Sequence, residues 1–390
     1  MKRFLLLAVA SMFCLQIFGQ NNISDIKYYS HIYVKSKING QDANLAFDTG
    51  SPYTCLDSTF FAGCAYKYKN MGKAQMGGTG NKKEFVSIII GELTYTAGGK
   101  EYTSKVSPIF QLKPIIGDYA DGLLGISDLS GKIISIDYRN EKMAFGDKLD
   151  KTDIEGFTKI AIRYANNRIY VPVTVTVSKD KVITGEALVD LGSGGTVTFT
   201  NAVAKQYSLK DISPVLYYEM EHGGVGGEAA GCYFKAEKAG IGPFSLSDVV
   251  MDYSLNTGGA LAASEYIGIV GNDFWERFDM IMDLPGKSLY LRPNKDYGKP
   301  FECPVRGFVY TDRSKTLGCW VVNCIFKDSN AERAGLKNKD QILTINGKDV
   351  KTISLDEQKT LFDEMKSVTL TIRRGDSIQT ISFNFDEPKL

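Results

Sequence analysis

Two aspartates stand in similar surroundings at widely separated points of the chain. Residues 45–57 read "LAFDTGSPYTCLD" and residues 186–199 read "EALVDLGSGGTVTF", so an apolar run leads into Asp-x-Gly-Ser in both. Asp190 follows Asp48 by 142 residues (190 − 48). Two carboxyl groups about 3 Å apart cannot both ionise comfortably, so they share one proton. Brought together, Asp48 and Asp190 would supply a general base for a water and a general acid for a carbonyl oxygen.

The two aspartates belong to a longer internal repeat. "MGGTGNKKEF" is echoed by "HGGVGGEAAG" at an offset of 146 residues, as Gly78 and Gly224 show (224 − 78). "DGLLGISDLSGKIISIDYRNEKMAFG" is echoed by "IGIVGNDFWERFDMIMDLPGKSLYLR" at the same offset, with Asp137 matching Asp283. A lone Asp-Thr-Gly indicates only a turn after a strand, but three segments repeated in order predict a duplicated unit. Two such lobes enclose a cleft, where ligand sites are common.

The residues after each aspartate suit a carboxylate site. Glycine at the third position lets the backbone approach the acids closely. Serine at the fourth position offers a hydroxyl that can orient them by a hydrogen bond. The predicted supporting residues are Thr49, Gly50, Ser51, Gly192 and Ser193.

Composition favours many short strands and argues against a nucleic-acid partner. The 390 residues include 46 basic and 45 acidic side chains, and this balance provides no concentrated basic surface for phosphates. The 39 glycines, 21 tyrosines and 21 phenylalanines suit strands joined by tight turns. "HIYVKSKI" and "IYVPVTVTV" are typical strand sequences, whereas helical stretches such as "FTNAVAKQY" are few.

The chain begins with "MKRFLLLAVASMFCLQIFGQ", the pattern of a secretory signal peptide cleaved near Gly19. We expect an exported protein, in the periplasm, in the cell envelope or secreted, with no membrane span in the mature chain. An uncleaved anchor is the alternative. Lipid attachment at Cys14 is disfavoured because the bulky Phe13 precedes it. Of the six later cysteines, Cys55 and Cys64 are close enough for a disulfide, but unpaired buried thiols fit equally well.

Residues 27–294 resemble pepsin-like and retropepsin-like aspartic proteases. "AFDTGS" is similar to their first active-site loop, "MGGTG" stands where they carry a flap, and "DGLLG" and "IGIVGNDFWERFDMIMD" are similar to the segments behind each catalytic loop. The resemblance implies a bilobal all-β fold and peptide hydrolysis by an activated water, without metal, cofactor or covalent intermediate. By this resemblance, Asp48 and Asp190 match the catalytic pair of the family, and Gly77, Gly78 and Gly80 match the tip of its flap.

The second motif departs from that family at Leu191, where a threonine or serine is usual. In the family this hydroxyl exchanges hydrogen bonds with the opposite lobe, so we expect Thr49 to keep only half of the bracing. The flap sequence "QMGGTGNK" also lacks a match for the tyrosine of pepsin-like flaps. A degenerate relative that binds peptides without cleaving them is therefore the alternative.

The C-terminal part has a different character. "NAERAGLKNKDQILTINGKDV" resembles the centre of PDZ domains, and the resemblance covers about residues 303–386. PDZ domains add an extended peptide as a strand beside a helix and hold its terminal carboxylate with backbone amides. We expect an amphipathic helix near Leu355–Met365 and a carboxylate loop at Arg306-Gly307-Phe308. The predicted groove comprises Gly307, Phe308, Val309, Tyr310, Leu355 and Leu361. A structural domain without a free ligand is the alternative.

The sequence thus predicts a mainly β, bilobal pepsin-like protein of two retropepsin-like lobes, followed by a small α+β PDZ domain. The predicted bounds are 1–19 for the signal peptide, 20–150 and 151–296 for the lobes, and 303–390 for the PDZ domain. The predicted function is that of an exported bacterial aspartic endopeptidase, a monomer that acts on peptides or unfolded proteins and has a PDZ module for C-terminal peptides. The competing hypothesis is a peptide-binding scaffold. His31 and His222 have no metal-ligand spacing to any cysteine, so no metal site is predicted.

Overall fold

The computed structural model describes residues 23–390, so the expected signal peptide lies outside the described residues. The first repeat contains the helices α1 (Ser58–Ala62) and α2 (Lys113–Ile116) and a 3-10 turn at Ser127–Leu129. Its strands are β1 (Ile23–Tyr29), β2 (His31–Ile38), β3 (Gln41–Phe47), β4 (Cys55–Asp57), β5 (Met71–Met76), β6 (Glu84–Ala97), β7 (Lys100–Phe110), β8 (Gly122–Leu124), β9 (Ile133–Asp137) and β10 (Lys142–Gly146).

The second repeat contains the helices α3 (Asn201–Gln206), within the predicted helical stretch, and α4 (Asn272–Trp275), with 3-10 turns at Leu209–Asp211 and Ala260–Ala262. Its strands are β11 (Thr158–Ala161), β12 (Arg163–Ala165), β13 (Arg168–Ser178), β14 (Lys181–Val189), β15 (Val197–Phe199), β16 (Leu216–Met220), β17 (Ala229–Ile241), β18 (Phe244–Ser254), β19 (Gly268–Val270), β20 (Phe278–Asp283) and β21 (Ser288–Pro293).

The two repeats have the same strand order. Hydrogen-bonded neighbours run β1-β2-β3-β8-β4-β7-β6-β5 in the first and β12-β13-β14-β19-β15-β18-β17-β16 in the second. An additional pairing, β2 with β6 and β13 with β17, curls each sheet into a barrel-like form. The parallel pairs also correspond, because β3–β8 matches β14–β19 and β4–β7 matches β15–β18. The duplication seen in the sequence is thus present in the topology.

A six-stranded sheet in the order β11-β21-β20-β9-β10-β1 joins the repeats, and each repeat supplies three strands. At its centre Ile136 pairs with Met280, and Ile134 pairs with Met282. The offset of 146 residues makes Ile134 equivalent to Met280 and Ile136 equivalent to Met282 (280 − 134 and 282 − 136). Exchanging the repeats therefore leaves the register unchanged, which is the signature of a local two-fold axis.

The strands that lead to the two aspartates are buried on both faces. Residues 45–47 of β3, "LAF", and residues 187–189 of β14, "ALV", are all buried. A continuous apolar run of this kind suits a strand covered from both sides. Both belong to a core that spans the two repeats and includes Phe47, Val189 and Leu191. Each aspartate therefore follows a strand end that is fixed by the core.

The C-terminal part is a small domain with its own apolar core. It contains β22 (Phe308–Arg313), β23 (Cys319–Phe326), β24 (Gln341–Ile345), β25 (Lys348–Asp349), β26 (Ser367–Arg374) and β27 (Ser377–Asn384), together with α5 (Asn330–Arg333), α6 (Leu355–Gln358) and a 3-10 turn at Val350–Thr352. Strand β16 pairs with β23 in antiparallel register, Glu219 opposite Ile325. The sheet of the second repeat therefore continues into this domain.

The helix predicted near Leu355–Met365 is shorter than expected. Regular helix covers only Leu355–Gln358, which begins with a capping box between Ser354 and Glu357, and turns follow. The predicted common face is divided, because Leu355 packs against the first repeat whereas Leu361 packs against the C-terminal core. Tertiary contacts have overridden the helical periodicity.

The structure bears on two further expectations, the disulfide between Cys55 and Cys64 and the lack of a membrane span. The six cysteines of the described part of the chain are all free, including Cys55 and Cys64. Between residues 23 and 390, no helix combines the length and apolar character needed to cross a membrane.

Candidate functional site

Asp48 follows β3 and is held by backbone groups. Its own N–H donates to the Leu124 carbonyl at 3.0 Å. Its Oδ1 accepts from the N–H groups of Gly50 at 2.8 Å and Ser51 at 3.0 Å. Two backbone donors on one carboxylate oxygen fix the orientation of the acid and favour its ionised form.

Asp190 occupies the equivalent position after β14. Its N–H donates to the Val270 carbonyl at 2.9 Å, and its Oδ1 accepts from the Gly192 N–H at 3.0 Å. A side-chain hydrogen bond joins the carboxyl groups of Asp48 and Asp190. The structure therefore brings together the two acids that the repeat predicted.

The glycines of the two motifs are required by this close approach. A Cβ on Gly192 would lie 2.4 Å from the Asp48 Cγ, and a Cβ on Gly50 would lie 2.6 Å from the Asp190 Oδ1. Each aspartate therefore lies directly against the glycine of the opposite repeat. A side chain at either glycine would push the carboxyl groups apart.

Burial raises the pKa of both carboxyl groups. For Asp48 burial is the largest influence, and the N–H groups of Ser51 and Gly50 oppose it. For Asp190 burial, followed by the negative charge of Asp48, raises the pKa to about 8. The positive charge of Arg168 lowers both pKa values. Because the negative charge of Asp48 raises the pKa of Asp190, the two carboxyl groups lose their protons one after the other. A pair that holds one proton can act as a base and an acid together.

Thr49 joins the two strand ends beneath the acids. Its Oγ1 donates to the Val189 carbonyl at 2.5 Å and accepts from the Leu191 N–H at 3.0 Å. Leu191 has no hydroxyl to make the reciprocal bonds, and its side chain is fully buried in the main core instead. The Asn272 Nδ2 donates to the Leu191 carbonyl at 2.8 Å and to the Ser30 carbonyl at 3.0 Å. Asn272 therefore adds a link between the repeats on the side where Leu191 makes none through its side chain.

The two serine hydroxyls do not contact the acids as the sequence led us to expect. The Ser51 Oγ donates to the Tyr53 carbonyl at 2.9 Å, and the Ser193 Oγ accepts from the Gly195 N–H at 3.3 Å. Both hydroxyls stabilise the turn that follows the motif. Ser51 supports Asp48 through its backbone N–H.

Two glycine loops meet at the same cavity. The first follows β5 and contains the predicted flap residues Gly77, Gly78 and Gly80. The second, residues 222–227, follows β16. The N–H groups of Gly78 and Gly80 both donate to the Val225 carbonyl at 3.0 Å. A Cβ on Gly80 would lie 2.2 Å from the carbonyl carbon of Gly226, so the contact depends on glycine.

Two basic residues that line the site were not assigned to it from the sequence. His31 begins β2 and Arg168 begins β13, and both line the cavity that contains the aspartates. Burial lowers the pKa of His31 to about 4, although a hydrogen bond with the Gly192 backbone opposes the shift. The paired sequences "HIYV" and "RIYV" at the starts of these strands were the signal that could have identified them.

The cavity extends from the aspartates to the C-terminal domain. Its volume is about 740 Å³, and its lining includes Asp48, Asp190, Val309, Tyr310 and Leu355. Of the other predicted groove residues, Gly307 and Phe308 are buried, and Leu361 packs against the C-terminal core. No cluster of His, Cys, Asp or Glu suited to a metal ion occurs among residues 23–390.

Comparison with known proteins identifies one part of the chain. The search of curated proteins found no match to the chain. The family model of the PDZ domain matches residues 306–373. This stretch includes β22–β25, α5, α6 and most of β26, and the predicted carboxylate loop begins it. The chain is thus a mainly β protein that carries a PDZ domain, a peptide-binding module, at residues 306–373.

Proposed function

We propose that the protein is an exported aspartic endopeptidase that hydrolyses peptides or unfolded proteins, and that its PDZ domain binds part of the substrate. One observation carries the proposal: Asp190 is buried and Asp48 is partly buried, and their carboxyl groups are hydrogen-bonded to each other and supported by equivalent backbone N–H groups. The matching strand order of the two repeats and the two-fold register between them support a bilobal, pepsin-like arrangement.

The proposed reaction uses both protonation states of the pair. The ionised carboxyl takes a proton from a water bound between the acids, while the water oxygen attacks the peptide carbonyl carbon. The protonated carboxyl donates its proton to the carbonyl oxygen, giving a neutral tetrahedral diol. The carboxyl that took the water proton then gives it to the amide nitrogen as the C–N bond breaks. The diol returns a proton to the other carboxyl, which restores the starting state.

A second candidate function is peptide capture without cleavage. Leu191 favours it, because the acids lack the hydroxyl that would complete the bracing between the repeats. The PDZ domain is compatible with both candidates. We favour the enzyme because the acids remain hydrogen-bonded to each other, with Asn272 linking the repeats.

Cleavage of an unfolded protein distinguishes the two candidates. We expect the mature protein to cut this substrate, and Asp48→Asn and Asp190→Asn each to abolish the cutting while circular dichroism stays unchanged. The matched control is Asp42→Asn, because the Asp42 side chain is 89% exposed and pairs with Lys37 at the surface. A parent that binds the substrate but leaves it intact from acidic to neutral pH would favour the scaffold.

A further inference from the structure

We propose that the PDZ groove and the aspartate cleft form one continuous substrate site. In this site the protein holds a polypeptide by its free C-terminal carboxylate and cuts it a fixed number of residues upstream. The proposal rests on the proposed function and names its substrate class: unstructured chain ends with an apolar last residue.

The shared cavity is the first support. The same space of about 740 Å³ is lined both by Asp48 and Asp190 and by Arg306, Val309 and Tyr310 of the C-terminal domain. The first repeat and the C-terminal domain are in direct contact in the cavity wall, because the hydroxyls of Tyr29 and Tyr310 lie 3.3 Å apart. Only Ser30 separates Tyr29 from His31, which contacts the Gly192 backbone beside the acids. The groove therefore opens toward the cleft.

Strand β22 presents a backbone edge to this cavity. Tyr310 lies opposite Val322 of β23. The backbone of Val322 is bonded elsewhere, because its N–H donates to the Asp340 carbonyl and its carbonyl accepts from the Lys339 N–H. Antiparallel pairing alternates bonded and non-bonded pairs, so the N–H and C=O of Tyr310 face away from β23. They are positioned to pair with an added peptide strand.

Arg306 places a positive charge at the start of this edge. Its guanidinium lies 4.5 Å from the ring centre of Phe362 and 5.4 Å from those of Phe308 and Tyr310. Its Nε donates to the Phe308 carbonyl at 3.1 Å, and it forms no ion pair with any acidic residue of the described chain. A positive charge beside apolar rings suits a peptide whose last residue has an apolar side chain and a free C-terminal carboxylate.

The other end of the edge is already occupied by the first repeat. The Asp118 N–H donates to the Asp312 carbonyl at 2.8 Å, as a peptide ligand would do. A Cβ on Gly117 would lie 3.0 Å from the same oxygen. A bound chain therefore pairs along β22 only from the carboxylate loop as far as Tyr310. Beyond that point it must turn into the cavity that leads to the aspartates.

Several contacts fix the distance between groove and acids. Strand β23 continues the sheet of β16, and the Asn323 side chain bonds both backbone groups of His222 at 2.9 and 3.0 Å. The Asp118 carboxylate accepts from the Arg313 Nε at 3.0 Å and from the Thr316 N–H at 2.7 Å. Because the groove is held at a fixed distance from the acids, the number of residues between the C-terminus and the cleaved bond is fixed as well.

Peptides that differ only at the C-terminus test the proposal. One carries a free carboxylate after an apolar last residue, the second carries an amide there, and a third is the first extended by two residues. We expect kcat/KM to be roughly ten- to a hundredfold higher for the free acid than for the amide, the effect of a charge-assisted hydrogen-bond set. The cut should move two residues toward the new end in the extended peptide. Equal rates and an unmoved cut overturn the proposal and leave the proposed function standing.

Variants of the PDZ domain locate the effect. Arg306→Gln should remove most of the preference for the free acid, whereas Arg373→Gln, an exposed arginine of the same domain, should keep it. A preference for the free acid that is unchanged in Arg306→Gln counts against the proposal.

Crosslinking to the inactive Asp190→Asn protein tests the continuous site without cleavage. A free-acid peptide with an upstream photocrosslinker should label the loop after Asp48, and labelling confined to the PDZ domain overturns the continuous site. A parent that cuts neither peptides nor unfolded protein overturns the proposed function itself.

Discussion

Replacing Thr49 with valine tests how the two halves of the candidate site are held together. Valine keeps the shape of threonine but has no hydroxyl, so the Val189 carbonyl and the Leu191 N–H lose their common partner. All three residues are fully buried, which leaves no solvent to replace the bonds. A buried polar group without a partner costs about 1–3 kcal/mol, so two predict a loss of roughly 2–6 kcal/mol in the free energy of unfolding. Leu191 has no hydroxyl that could bond to the first repeat in return, so no second hydroxyl compensates for the bonds lost at Thr49.

Urea unfolding, followed by circular dichroism, measures this loss. The matched control is Thr174→Val, because Thr174 is exposed on β13 and its hydroxyl lies 3.2 Å from that of Thr184, which is also at the surface. We expect the control to change the free energy of unfolding by less than about 0.5 kcal/mol. If Thr49→Val lowers stability no more than the control does, Thr49 does not hold the repeats together and the reasoning is refuted.

Three further predictions concern the acids and the domain contact. Gly192→Ala should abolish cleavage with the fold retained, because its Cβ would lie 2.4 Å from the Asp48 Cγ; Gly131→Ala, with nothing within 4 Å, is the control, and equal activities would contradict the prediction. The pKa of Asp190 is raised in the folded state, from 3.8 to about 8. The contribution of Asp190 to the free energy of unfolding is therefore fully present below pH 3.8, and it is lost as pH rises through about 8 because the unfolded chain gives up this proton first. Urea unfolding should therefore show Asp190→Asn gaining stability relative to the parent between these pH values, and a constant difference would refute this. Asp118→Ala should speed amide hydrogen exchange at Thr316, whose N–H loses its acceptor, whereas Asp42→Ala should not; unchanged exchange would count against the contact.

The acids could be predicted because their signal is local and occurs twice. Asp48 and Asp190 each end an apolar run, and the repeat offset relates them through a two-fold axis. Arg168 escaped the same comparison because its offset from His31 is 137 residues (168 − 31), not 142 or 146. The second repeat has five more residues between this position and its aspartate, so a fixed offset misaligns the two strand starts.

The placement of the PDZ domain could not be predicted from the sequence. Its position depends on β16 pairing with β23, and an edge strand carries no pattern that names its partner. The predicted helix at Leu355–Met365 was too long for a related reason. Leu355 packs against the first repeat, and Lys359 pairs with Glu141 at 2.6 Å, so contacts with another part of the chain determine this segment.

The pH dependence of kcat/KM for a cleaved peptide tests the central claim most directly. If Asp48 and Asp190 share one proton and act as base and acid, the profile should be bell-shaped. It should rise as the first carboxyl ionises and fall as the second loses its proton near pH 8. Asp48→Asn and Asp190→Asn should show no measurable rate at any pH. A rate that keeps rising above about pH 9, or that survives in either variant, would contradict the account.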